Sequence, residues 1–208
     1  ARARPIVRVL TRLAQAAAIA LMLMAPAALA DESTERGRKL AYSCMGCHGI
    51  ENYKNAYPKY SVPKLGGQNT AYMMAALEEY ASGARWHPTM KGQAITLAAQ
   101  DRADLAAWFT STAPIPSGGK QVGTPPASAR ACGACHGSDG LGTLDEYPNL
   151  AGQHADYLAQ ALNDYRLGKR QNPIMSTFAQ QLTREEIDAL AAYFSKQPAK
   201  YVLEVHPD

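Results

Sequence analysis

The sequence predicts an all-α protein built as two tandem copies of one small domain, and three observations carry that expectation. Residues 63–109 align with residues 148–194 at a constant offset of 85, without a gap and with 18 identities in 47 positions. Apolar residues recur at helical spacing, with no convincing strand alternation. The stretch "SCMGCHG" at 43–49 returns as "ACGACHG" at 131–137. Self-similarity at a fixed period decides architecture before any single element is assigned.

Residues 1–30 stand apart from the repeat. Arg2, Arg4, Arg8 and Arg12 precede an apolar stretch from about Ala14 to Met24, and Ala28-Leu29-Ala30 closes it. That order predicts a secretory signal peptide cleaved before Asp31. An uncleaved membrane anchor is the alternative, disfavoured by an apolar core short of the ~20 residues a span needs. Without those four arginines, 17 basic residues face 18 acidic ones, so the net charge of +3 does not describe the exported chain. No basic patch argues for nucleic acid.

The first domain is expected over residues 31–113. "ESTERGRKLAYSC" is amphipathic and leads into the first cysteine motif. "TAYMMAALEEYASG" sets Tyr72, Ala76 and Tyr80 on one helical face beside Met73 and Leu77, with Gly83 as a stop. Met73 and Met74 align with Leu158 and Ala159 and are expected in the helix core. A last helix from about Ala98 to Thr110 turns Leu105, Trp108 and Phe109 inward.

"STAPIPSGGKQVGTPPAS" is dense in Pro, Gly and Ser and reads as an extended connection, with the linker proper at 114–120. The second domain follows over 121–208. Its lead-in "TPPASARAC" is a poorer helix, while "ADYLAQALNDYRLG" repeats the middle one. The last helix opens on Thr183 and Glu186 as a capping box and turns Ile187, Leu190, Ala191 and Phe194 inward.

Two cysteines three apart could form a redox disulfide, bind zinc or hold haem. Zinc needs four ligands, and each motif offers three without a second pair nearby. A thioredoxin-type pair has no use for the adjoining histidine and needs a βαβ setting. Covalent haem attachment uses every residue: Cys44 and Cys47, like Cys132 and Cys135, form thioethers to vinyl groups, and His48 and His136 present imidazole to iron.

For the sixth ligand, the repeat pairs Met90 with Met175, whereas His87, His154 and His206 have no histidine counterpart and read as solvated or locally hydrogen-bonded. A thioether raises the reduction potential relative to a second imidazole and fills the position a substrate would need, which favours electron transfer over catalysis. Each ligand histidine also needs an acceptor for its other N–H, for which a carbonyl near Pro63 or Pro148 is placed.

With these residues identified, the mature chain resembles class I cytochromes c, and more closely the dihaem cytochrome c4 family. The likeness rests on the paired "CMGCHG" and "CGACHG", "PKLGGQ" and "PNLAGQ", "YASGAR" and "YRLGKR", "HPTM" and "NPIM", and "LAAWF" and "LAAYF". It implies two tandem cytochrome c domains related by a pseudo-two-fold, each around a covalent haem c. It further implies a periplasmic carrier, often loosely membrane-associated, that passes single electrons from a respiratory donor to a terminal oxidase. By the same resemblance, the carbonyls of Pro63 and Pro148 accept from the ligand histidines. Arg85 and Arg170 become candidates beside haem propionates, with solvated helix-end charges as the alternative. "YKNAYPKYSV" before Pro63 departs from the family pattern.

Three functions compete on this reading. A dihaem carrier, exchanging electrons with a quinol-oxidising complex, dehydrogenase or oxidase, comes first. The cytochrome subunit of a periplasmic dehydrogenase, as in a flavocytochrome, is the alternative. A catalytic dihaem enzyme is disfavoured by Met90 and Met175 together.

Overall fold

The computed structural model describes residues 32–112 and 121–198, so the expected leader and the linker at 114–120 lie outside the described residues. Within them the chain is helical, with two isolated β-bridges and no strand. The N-terminal half comprises α1 (32–40), α2 (Tyr42–His48), α3 (Thr70–Ser82), α4 (Pro88–Ala94) and α5 (Ala99–Ser111). The C-terminal half comprises α6 (Ala129–His136), α7 (Ala155–Arg166), α8 (Pro173–Gln181) and α9 (Arg184–Ser195). No helix of the described residues is long and apolar enough to cross a membrane.

Each half packs its middle helix against its last one. Leu105, Trp108 and Phe109 join Met73 in one core, and Leu190, Ala191, Tyr193 and Phe194 join Leu158 in the other. Burying such side chains stabilises by about 1.5–3 kcal/mol each. Adjacent aromatics meet edge to face in both copies, Trp108 on Phe109 at 4.6 Å and Tyr193 on Phe194 at 5.0 Å. Met74 departs from expectation: it is 37% exposed. One residue beyond the buried Met73, it is rotated by ~100° around the helix and turns away from the core.

The expected capping box on α9 is present, with Thr183 Oγ1 accepting from Glu186 N and Glu186 Oε2 accepting from Thr183 N. Helix α1 is fixed by a different device. A Cβ on Gly37 would stand 2.0 Å from the carbonyl oxygen of Asp104, so only glycine permits this close crossing of α1 over α5. There the buried Asp104 carboxylate accepts from Ser33, Gln100 and two nitrogens of Arg36.

The halves meet across a pseudo-two-fold seam. Trp86 N donates to Lys169 O at 2.7 Å and Gln171 N to Ala84 O at 2.8 Å, reciprocal bonds that flank the Arg85–Arg170 bridge. The loop before Pro63 that contains "YKNAYPKYSV" is three residues longer than the one before Pro148, and its contacts depart from this symmetry. It folds back through the Lys54–Ser61 bridge and offers Lys54 Nζ, Ser61 N and Ser61 Oγ to Asp156 of the other half. Tyr60 packs its buried ring against Tyr157.

Candidate functional site

The two cysteine motifs end α2 and α6. A spacing of three places both thiols of each pair on one helical face, and the histidine occupies the last helical position. None of the four cysteines is joined in a disulfide. Burial pushes Cys44 and Cys132 above the ordinary thiol value. That is the opposite of the exposed thiolate a redox dithiol requires. Among the described residues no three His, Cys, Asp or Glu side chains cluster so as to hold a bare metal ion.

His48 Nδ1 lies 2.8 Å from the carbonyl oxygen of Pro63, and His136 Nδ1 lies 2.9 Å from that of Pro148. A carbonyl can only accept, so Nδ1 carries the proton in both rings and Nε2 is left as the free lone pair. Burial lowers both histidine pKa values, opposed by these bonds to the proline carbonyls. Each imidazole is thus held neutral, in one tautomer, as a metal ligand must be.

Met90 and Met175 enter through matching local structure. In "HPTM" and "NPIM" the first residue is the N-cap, proline takes the first helical position, and methionine is the third. Met90 N donates to His87 Nδ1 at 3.2 Å, and Met175 N donates to Asn172 Oδ1 at 3.0 Å. His87 is therefore locally hydrogen-bonded, as expected of it. His154 is half-buried at the start of α7, and His206 lies outside the described residues.

One cavity of about 1140 Å³ runs across both halves. All four cysteines, His48, His136, Pro63, Pro148, Met90 and Met175 line it. So do Leu65, Leu105 and Phe109 and their repeat partners Leu150, Leu190 and Phe194. Its volume exceeds the roughly 300–1,000 Å³ of a single small-ligand site.

Arg85 and Arg170 also line this cavity, 3% and 5% exposed, which removes the reading of solvated helix-end charges. Each guanidinium donates to a tyrosine hydroxyl one helix back, Arg85 to Tyr72 at 2.8 Å and Arg170 to Tyr157 at 3.0 Å. Each also lies over a second ring, Tyr80 at 5.0 Å and Tyr165 at 5.2 Å. Arg85 Nε is buried without a hydrogen-bond partner, its nearest carboxylate being Glu79 at 3.5 Å. An unmet guanidinium donor in an apolar cavity suits the acidic edge of a bound group. Thiols for attachment, oriented imidazoles, apolar volume and buried guanidinia together fit two covalently attached haem groups.

The roles of Tyr72, Tyr157, Gln68 and Gln153 are absent from the sequence reading. Their identity between the two copies was the available signal, but the contacts it reflects cross from one half to the other or from one helix to the next.

The family model for cytochrome c matches residues 34–113 and again 126–197. A cytochrome c4 of Thiocapsa roseopersicina is 43% identical over 166 residues, covering 72% of this chain and 84% of that one. A thiosulfate dehydrogenase electron acceptor of Stutzerimonas stutzeri is 32% identical over 202 residues, covering 88% of this chain and 93% of its own. Among solved structures, the reduced recombinant cytochrome c4 from Pseudomonas stutzeri is similar with a TM-score of 0.62 at 30% identity, over 79% of this chain and 98% of the other.

Proposed function

Because this chain belongs to the dihaem cytochrome c4 family and carries two covalently bound haem c groups, we propose that it is a periplasmic carrier that passes single electrons from a respiratory donor to a terminal oxidase. The observation that carries this reading is the continuous cavity, in which both attachment motifs and both histidine–proline pairs lie across one fixed seam.

When bound, haem c supplies a one-electron ferric/ferrous couple. The protein supplies the rest. Cys44 and Cys47 hold one group, Cys132 and Cys135 the other. Nδ1–H of His48 and His136, fixed on Pro63 and Pro148, holds each ring in one orientation and leaves Nε2 as the nitrogen that would bind the iron. Met90 and Met175, which line the same cavity, would supply thioether ligands and so leave no open position for a substrate. Arg85 and Arg170 place two buried positive charges at the seam, and the surrounding leucines and aromatics exclude water. Rigid surroundings keep reorganisation small when the charge changes by one.

Export through the leader at 1–30 belongs to the same proposal, as does loose association with a membrane surface. N-terminal sequencing of the chain recovered from a periplasmic extract, with Asp31 expected first, tests the export. In the haem-loaded ferric protein, the weak red charge-transfer band of His/Met coordination should be present and should lose one of two contributions in Met90→Ala or Met175→Ala. Its absence from the wild type would overturn the ligand assignment.

A second reading is favoured by the likeness to a thiosulfate dehydrogenase electron acceptor along 93% of that protein. In it, this chain takes electrons directly from a periplasmic dehydrogenase subunit. Stopped-flow mixing separates the two. Rapid oxidation of the reduced protein by solubilised oxidase supports the first, whereas rapid reduction by a thiosulfate dehydrogenase with no oxidase reactivity supports the second.

A further inference from the structure

The carbonyls that accept from His48 and His136 belong to peptide groups whose other ends are held by the opposite half. The Pro63 carbonyl and the Lys64 N–H share one peptide plane. That N–H donates to Gln153 Oε1 at 3.0 Å, and Gln153 Nε2 returns a bond to Lys64 O at 3.0 Å. Across the seam the arrangement is mirrored. The Pro148 carbonyl accepts from His136, the adjoining Asn149 N–H donates to Gln68 Oε1 at 2.8 Å, and Gln68 Nε2 donates to Asn149 O at 3.0 Å.

Both glutamines are buried, Gln68 at 6% and Gln153 at 3% exposure. Each is also held from its own side, Gln68 Oε1 accepting from Asn69 N at 2.9 Å and Gln153 Oε1 from His154 N at 3.1 Å. They are therefore preorganised rather than adventitious. The pairing is not needed to join the halves, because the Arg85–Arg170 bridge and the Asp156 and Asp145 contacts already do so.

A peptide whose N–H donates a hydrogen bond has a more polar carbonyl, and linked bonds strengthen one another by about 10–30% in condensed-phase estimates. A stronger acceptor draws the Nδ1 proton further from the imidazole and makes Nε2 a more basic ligand, which favours ferric iron. We infer that Gln153 and Gln68 are positioning residues that act crosswise: Gln153 lowers the reduction potential of the haem on His48, and Gln68 lowers that of the haem on His136. This rests on the two histidines being the iron ligands.

The test uses the haem-loaded protein, with each haem followed through its own paramagnetically shifted methyl resonances during a redox titration. Gln153→Leu is expected to raise the potential of the N-terminal haem and leave the C-terminal one in place, and Gln68→Leu the reverse. The histidine Nδ1–H resonance should move upfield in the same crossed pattern. Gln153→Glu keeps an acceptor for Lys64 N–H and should hold the N-terminal potential at or below wild type, which covers the case in which the leucine variant folds poorly. Asp145→Ala removes a seam contact to Thr70 N and Ala71 N without touching either peptide, and should move neither potential.

A shift confined to the haem of the mutated half, equal shifts of both, or no shift would overturn the inference. Failure of the underlying ligand reading would appear separately, as wild-type resonances lacking a histidine-coordinated pattern.

Discussion

His87 and Asn172 are different residues with one task. Each accepts the backbone N–H of a methionine two residues past a proline, and so fixes the first turn of the helix that presents it. A search for recurring histidine ligands sees only that His87 fails to recur, because the alignment compares side-chain identity and not the acceptor that both side chains provide. His87→Asn is expected to keep the cap and leave stability unchanged. His87→Ala should cost about 1 kcal/mol, the ordinary worth of an N-cap, and broaden the red band of the N-terminal haem. Thermal unfolding followed at the haem absorption reads the first effect and the ferric spectrum the second; equal behaviour of the two variants would remove the cap from the account.

Among the helices, α1 shows how the two copies diverged. Asp104 has no acidic counterpart in the repeat, since position 189 is alanine, and Gly37 has no equivalent glycine. The hydrogen bond from Arg36 holds the Asp104 carboxyl well below the usual carboxylate range, against the cost of burial, with Ser33 and Gln100 adding to it. A depressed folded-state pKa means that the stabilisation is fully present above pH about 4. It is lost progressively as pH falls below that value towards the lower folded one.

Asp104→Asn should therefore unfold more easily than wild type at pH 7, by about 1–3 kcal/mol from the disrupted buried contacts, with the gap narrowing at pH 3. Urea midpoints at the two pH values decide it. This anchor was illegible in the sequence because a polar residue in an amphipathic helix normally faces water, and nothing local marks Asp104 as buried. The terminal helices α5 and α9 were legible, since Leu105, Phe109, Leu190 and Phe194 repeat at core positions. So were the haem motifs, whose internal spacing survives in both copies, and the histidine–proline pairs, although these lie 15 residues apart in the first copy and 12 in the second. Met74 misled because alignment with Ala159 says nothing of which way a side chain turns. The burial of Arg85 and Arg170 needed the opposite half to be in place.

At the scale of the molecule, the seam combines a symmetric part inherited from the repeat with an asymmetric part supplied by "YKNAYPKYSV". The symmetric part pairs residues 81 to 89 apart, centred on the repeat offset of 85, so it could have been anticipated once two-fold packing was assumed. The asymmetric part joins Ser61 to Asp156 across 95 residues and leaves no periodic trace. Burial raises the Asp156 pKa, but hydrogen bonds from Lys54 and Ser61 outweigh it and the net shift is downward. The clasp therefore contains two separable parts, a half-exposed ion pair to Lys54 and shielded bonds from Ser61 N and Oγ.

The ion pair is screened by salt, with a Debye length of about 10 Å at 0.1 M, whereas the Ser61 bonds are not. Asp156→Asn retains an oxygen for Ser61 but loses the charge and the bond that the other carboxylate oxygen accepts from Tyr157 N, so its deficit against wild type should shrink as ionic strength rises and stay smaller than that of Asp156→Ala. Asp156→Ala also loses the Ser61 bonds and should keep a salt-independent deficit of about 1 kcal/mol. Denaturant unfolding of the haem-loaded variants at two salt concentrations reads both. Equal, salt-independent deficits in the two variants, or none in Asp156→Ala, would show that the segment does not clasp the second half.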